Sequence, residues 1–97
     1  MTTEHSGLPR GIDHVGVTVP DINAAIRFLE EAFGAVALYR NVTRTAPQQG
    51  PETEKILGLP QGTVVIEMCM MALGQGPGIE LFEMKGPDQR EAARPCD

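Results

Sequence analysis

The chain has 97 residues and a mass of 10.4 kDa, with 41% hydrophobic residues, 22% charged residues and a formal net charge of −5. That length suits one domain and not two, and the longest apolar stretch, Met68 to Leu73, falls far short of the ~20 residues that span a bilayer. Eight Lys and Arg stand against thirteen Asp and Glu with no basic cluster, so the electrostatic footprint of a nucleic-acid binder is missing.

Residues 1–10 lack the basic start and apolar core of a secretory signal, which predicts a cytoplasmic protein. They read as a flexible tail holding His5 and Ser6. Two cysteines, Cys69 and Cys96, are too few for a disulfide framework and are expected to stay reduced in that compartment. Ile12 to Val19 predicts a strand, with Val15, Val17 and Val19 on one face and His14, Gly16 and Thr18 on the other. Pro20 ends it, and Asp21 is a natural N-cap. Ile22, Ala25, Ile26, Leu29, Ala32 and Phe33 then recur at helical spacing, with Asn23, Arg27, Glu30 and Glu31 opposite. Gly34 closes this helix, and Ala35 to Val42 alternates as a second strand.

From Thr43 to Gly62 the composition shifts to Pro, Gly, Gln and Thr. This reads as a long loop with one helical turn around Glu52 to Leu57, a kind of connection that serves as a binding loop or lid or is simply mobile. Thr63 to Leu73 predicts a third strand, Gly74 to Gly78 a turn around Pro77, and Ile79 to Met84 a fourth strand paired with the third. The order is β-α-β-β-β. The expected fold class is α+β: a mixed four-stranded sheet with one helix on one face, occupying residues 11–86 and followed by a polar tail, residues 87–97.

One amphipathic helix covers one face of such a sheet. Phe82, Met84 and part of the Met68 to Met71 run are left for the other, and an apolar face of that kind usually marks a ligand or partner site. The run itself reads as core packing, because alternation sends successive side chains to opposite faces, which no Cu(I) site would want. Parity also selects polar groups. The valines of the first strand and Ile79 and Leu81 of the last face the helix, so His14 and Glu80 point to the open face with Phe82, while Glu83 has the other parity. An imidazole and a carboxylate are suitable donors to a divalent ion at about 2.0–2.2 Å, although zinc sites use three or four protein ligands. A hydrogen-bonded structural histidine is the commoner occupant of such a position, and spacing leaves both readings open. There is no P-loop, dinucleotide glycine fingerprint, GxSxG or CxxC, and Ser6 is the only serine.

Three segments resemble the vicinal oxygen chelate superfamily, which includes glyoxalase I, methylmalonyl-CoA epimerase, bleomycin and fosfomycin resistance proteins and extradiol dioxygenases. They are Ile12-Asp13-His14-Val15-Gly16-Val17-Thr18-Val19-Pro20-Asp21, the helix ending in Phe33-Gly34, and Gly78-Ile79-Glu80-Leu81-Phe82-Glu83. The resemblance implies a single N-terminal-type module with His14 and Glu80 as ligands of a divalent metal (Ni, Zn, Co, Mn or Fe(II)). It implies Glu80 also as catalytic base, and Thr18, Phe82 and Met84 as substrate contacts on the same face.

Members of that family pair two modules. The chain is therefore expected to be the first half of a longer protein whose second module follows in cis, or else to dimerise in trans and assemble the ligands across a two-fold axis. The activity implied is that of a lyase or isomerase of the glyoxalase I type, acting on a small substrate with adjacent oxygens: the ion serves as Lewis acid while a proton is taken next to a carbonyl. The alternatives are a metal-free drug-binding resistance protein and an Fe(II) ring-cleaving dioxygenase.

Overall fold

Alternating β-branched residues at the start of the chain form β1 (His14–Thr18), the edge strand of a mixed sheet. The computed structural model describes residues 11–87, so the two tails, apart from Pro87, and Cys96 with any pairing it makes lie outside the described residues. Asp21 caps α1 (Ile22–Phe33) as its short side chain dictates: its backbone is extended and Oδ1 accepts the Ala24 N–H at 3.1 Å. Gly34 ends the helix at φ +67°, donating its N–H to the Glu30 carbonyl at 3.0 Å, and a side chain there would be strained.

β2 (Val36–Val42) follows. The expected loop then contains two short elements, β3 (Gln48–Gln49) and α2 (Pro51–Leu57). Pro51 begins α2 at its first turn, where its missing N–H costs nothing; Glu52 and Glu54 complement the helix N-terminus, and Gly58 stops it at φ +68°. No residue of α2 is buried, which is why no apolar period announces it. β4 (Val64–Ala72) and β5 (Gly78–Lys85) form the hairpin the turn residues predict.

The sheet order is β1-β5-β4-β2, with β3 pairing the Val64–Val65 end of β4. β1 runs parallel to β5, and the other pairings are antiparallel. Helix and sheet enclose Ile22, Ile26, Ala35, Cys69, Met71 and Leu81, so Leu81 lies on the helix side as its parity predicts, with Ile79 packed against that cluster. Burial departs from expectation at two places. Val15 and Val17 take the helix side, opposite Ile79 and Leu81, yet are 45% and 40% exposed, because α1 rests chiefly on β4 and β5. Phe33 is 61% exposed, its ring edge-on to Phe28 with centroids 5.9 Å apart, so the buried stripe of α1 stops short of its last turn.

The second sheet face is also less bare than one helix per sheet implies. Val42, Val65, Met68 and Phe82 are buried together there, with Leu59 and Met84 packed against them. Leu59 comes from the segment after α2, so the connection read as a loop folds over part of this face.

Candidate functional site

His14 opens β1 and Glu80 is the third residue of β5. The parallel register sets His14 opposite Gly78 and Gly16 opposite Glu80, so imidazole and carboxylate stand diagonally on one face and each confronts a glycine. Both glycines are closely packed. A Cβ on Gly78 would lie 3.2 Å from both Met70 Sδ and the Met71 carbonyl, and one on Gly16 would lie 3.1 Å from the Phe82 ring. On this face His14 Nε2 approaches Glu80 Oε1 to 3.4 Å, the side chains being 39% and 16% exposed.

The other ring nitrogen has its own partner. His14 Nδ1 donates to Asp13 Oδ2 at 2.8 Å, and the Asp13 carbonyl accepts the Gly78 N–H at 2.9 Å, fixing the approach to β1. The Asp13 hydrogen bond is the main reason the His14 pKa rises above its ordinary 6.5; desolvation opposes it, and the charges of Glu80 and Asp13 add to the rise.

A divalent ion bonded at about 2.0–2.2 Å to a nitrogen and an oxygen sets them about 2.8 to 3.6 Å apart in octahedral or tetrahedral geometry. The 3.4 Å between Nε2 and Oε1 falls in that range, so the pair fits two positions of a coordination sphere. Among the described residues no group of three or more His, Cys, Asp or Glu is placed to hold a metal, so the pair does not complete a sphere.

Of the expected substrate contacts, Thr18 and Met84 line a mostly apolar hollow of about 260 Å³ with Leu59, Pro60 and Thr63. It lies at the far end of β1, roughly 13 Å along the strand from His14 at about 3.3 Å per residue. Phe82 is buried in the cluster beside it and does not line it. A second hollow of about 250 Å³ is bordered by Asp13, Gly78, Leu38, Tyr39 and Met70, and neither His14 nor Glu80 lines it. Leu38 and Tyr39 escape a sequence reading because β2 shifts register against β4 between Ala37 and Tyr39, which breaks strict alternation.

Glu83, with the opposite parity, does a different job. Its Oε1 accepts the Ile22 N–H at 3.0 Å and an Arg44 N–H at 2.8 Å, while the neighbouring Glu67 accepts from Arg40 and Arg44, each at 3.1 Å. These buried carboxylates pin the start of α1 and the β2–β3 connection to the sheet. No helix among the described residues is long and apolar enough to cross a membrane.

Residues 11–93 match the model of the Glyoxalase/Bleomycin resistance protein/Dioxygenase superfamily. The chain is also 35% identical over 86 residues to a 2-epi-5-epi-valiolone epimerase of Actinomyces sp, an alignment covering 87% of this chain and 45% of that protein. The chain thus spans about half the length of that relative. Its mixed α+β sheet, the order of its elements and the match over most of its length agree, and the chain belongs to the Glyoxalase/Bleomycin resistance protein/Dioxygenase superfamily.

Proposed function

We propose that this chain is one module of a metal-dependent epimerase, in which His14 and Glu80 hold a divalent ion together with ligands from a second module, in cis or from another copy. The observation that carries the reading is the 3.4 Å approach of His14 Nε2 to Glu80 Oε1 on the face away from α1. The similarity to an epimerase favours isomerisation over a lyase reaction or ring cleavage by Fe(II). The bound ion would supply Lewis acidity to two adjacent oxygens of the substrate.

The chain's own residues do the rest. His14 offers a lone pair at Nε2, and the hollow bordered by Leu38, Tyr39 and Met70 receives the body of the substrate. The Glu80 carboxylate, mostly shielded from water, would take the proton next to a carbonyl, and inversion then requires an acid of the second module to deliver a proton to the opposite face. Thr18, Met84 and the apolar hollow they line support a second reading, a metal-free binder of small apolar molecules.

Metal analysis of protein purified without a chelating tag separates the two readings. After incubation with Ni, Zn, Co, Mn or Fe(II) the first expects close to one ion per assembled site, and less than about 0.1 equivalent overturns it. Incubation of the metal-loaded protein with 2-epi-5-epi-valiolone in D2O is expected to put deuterium at the inverted carbon. Glu80→Gln is expected to lower that exchange by about 10²- to 10⁴-fold, the usual span for a general base.

A further inference from the structure

Asp13 has no place in a reading of strand faces, yet its carboxylate sits on the imidazole nitrogen that turns away from Glu80. An imidazole can present a lone pair at Nε2 only if its proton resides on Nδ1, and free imidazole side chains favour the opposite tautomer. In the structure Nδ1 faces Asp13 Oδ2 at 2.8 Å, a charge-assisted length, and Nε2 is the nitrogen 3.4 Å from Glu80. Asp13 is itself held, because its carbonyl accepts the Gly78 N–H at 2.9 Å before the β1–β5 ladder begins. A residue one step from His14 within a strand would point to the other face; Asp13 reaches the ring because β1 starts at His14 and leaves it outside the pleat.

We infer that Asp13 is a positioning residue: it holds the proton of His14 on Nδ1 and fixes the ring plane, so that the Nε2 lone pair is aimed at the space shared with Glu80. The inference rests on the proposed metal role of His14 for its consequence, and on the Asp13–His14 contact alone for its geometry. Carboxylates that orient a ligating histidine in this way typically strengthen metal binding by 10- to 100-fold.

Two measurements test it, one of which needs no metal. In the metal-free protein, ¹⁵N-edited spectra recorded well above the His14 pKa report the tautomer, with His14→Gln identifying the signals against those of His5, the other histidine. The wild type is expected to show a protonated Nδ1 and a bare Nε2. Asp13→Ala is expected to shift the ring toward the Nε2–H form, and Asp13→Asn, whose amide oxygen still accepts from Nδ1–H, to restore the wild-type form. In titrations with Co²⁺, Asp13→Ala is expected to weaken binding by about 10- to 100-fold, with Asp13→Asn recovering most of it and the melting temperature unmoved.

An unchanged tautomer in Asp13→Ala overturns the inference, as does wild-type Co²⁺ affinity in that variant. A wild-type chain that shows the Nδ1–H tautomer but takes up no Co²⁺ overturns the metal reading and leaves the positioning contact standing.

Discussion

At the scale of single residues, the strands that carry the candidate site are packed closely around two glycines. Gly78 stands opposite His14 and Gly16 opposite Glu80. Gly78→Ala would drive a Cβ against Met70 Sδ and the Met71 carbonyl, each at 3.2 Å, and the backbone oxygen has little room to move. Urea denaturation is expected to show a loss of about 1–3 kcal/mol, the usual cost of overpacking, together with weaker metal uptake. Gly16→Ala meets the edge of the buried Phe82 ring at 3.1 Å, and the same measurement is expected to show a loss in the same range. His14 and Glu80 were legible from strand parity. Asp13 and the two glycines were not, because parity says which face a residue takes and nothing about what must be absent beside it.

At the scale of elements, local chemistry and tertiary packing divide the work. The bounds of α1 were readable because Asp21 and Gly34 act on the backbone next to them. Asp21→Ala is expected to cost about 1 kcal/mol, and Gly34→Ala, at φ +67°, a similar amount, both measurable by thermal or urea unfolding. β3 was hidden because two residues are too few to show a period, and α2, which buries nothing, was legible only as a helical turn around Glu52 to Leu57. Under α1 the apolar stripe is a firmer guide: Leu81, sealed between helix and sheet, is expected to cost about 2–5 kcal/mol when cut to Ala. Phe33 misled because the last turn of α1 overhangs the sheet and pairs with Phe28 in solvent.

At the scale of the whole molecule, the sheet is fastened from one side by a charged knot and partly covered on the other by the connection after β2. Arg44 bridges Glu83 and Glu67, and Glu83 holds the first N–H of α1. Arg44→Ala is expected to raise hydrogen exchange across residues 43–47 and lower the melting temperature, since two buried carboxylates lose a partner. Burial raises the Cys69 pKa above its ordinary 9.0, so its thiol stays protonated and covered. In a Cys96→Ser variant, labelling of Cys69 by a thiol reagent is expected to track global unfolding, and labelling at the native-state rate of a free thiol would contradict the packing described. The sequence by itself determined the strand faces, the capped helix, the parity that separates Glu80 from Glu83 and the resemblance that names the superfamily, because alternation and capping are written in neighbouring residues. The tertiary structure alone decided that His14 and Glu80 come within 3.4 Å, that Asp13 turns back onto the ring, and that Leu59 folds over the second face. Those outcomes depend on which strands become neighbours and in what register, and the parallel pairing of β1 with β5 joins residues more than sixty positions apart that no local pattern connects.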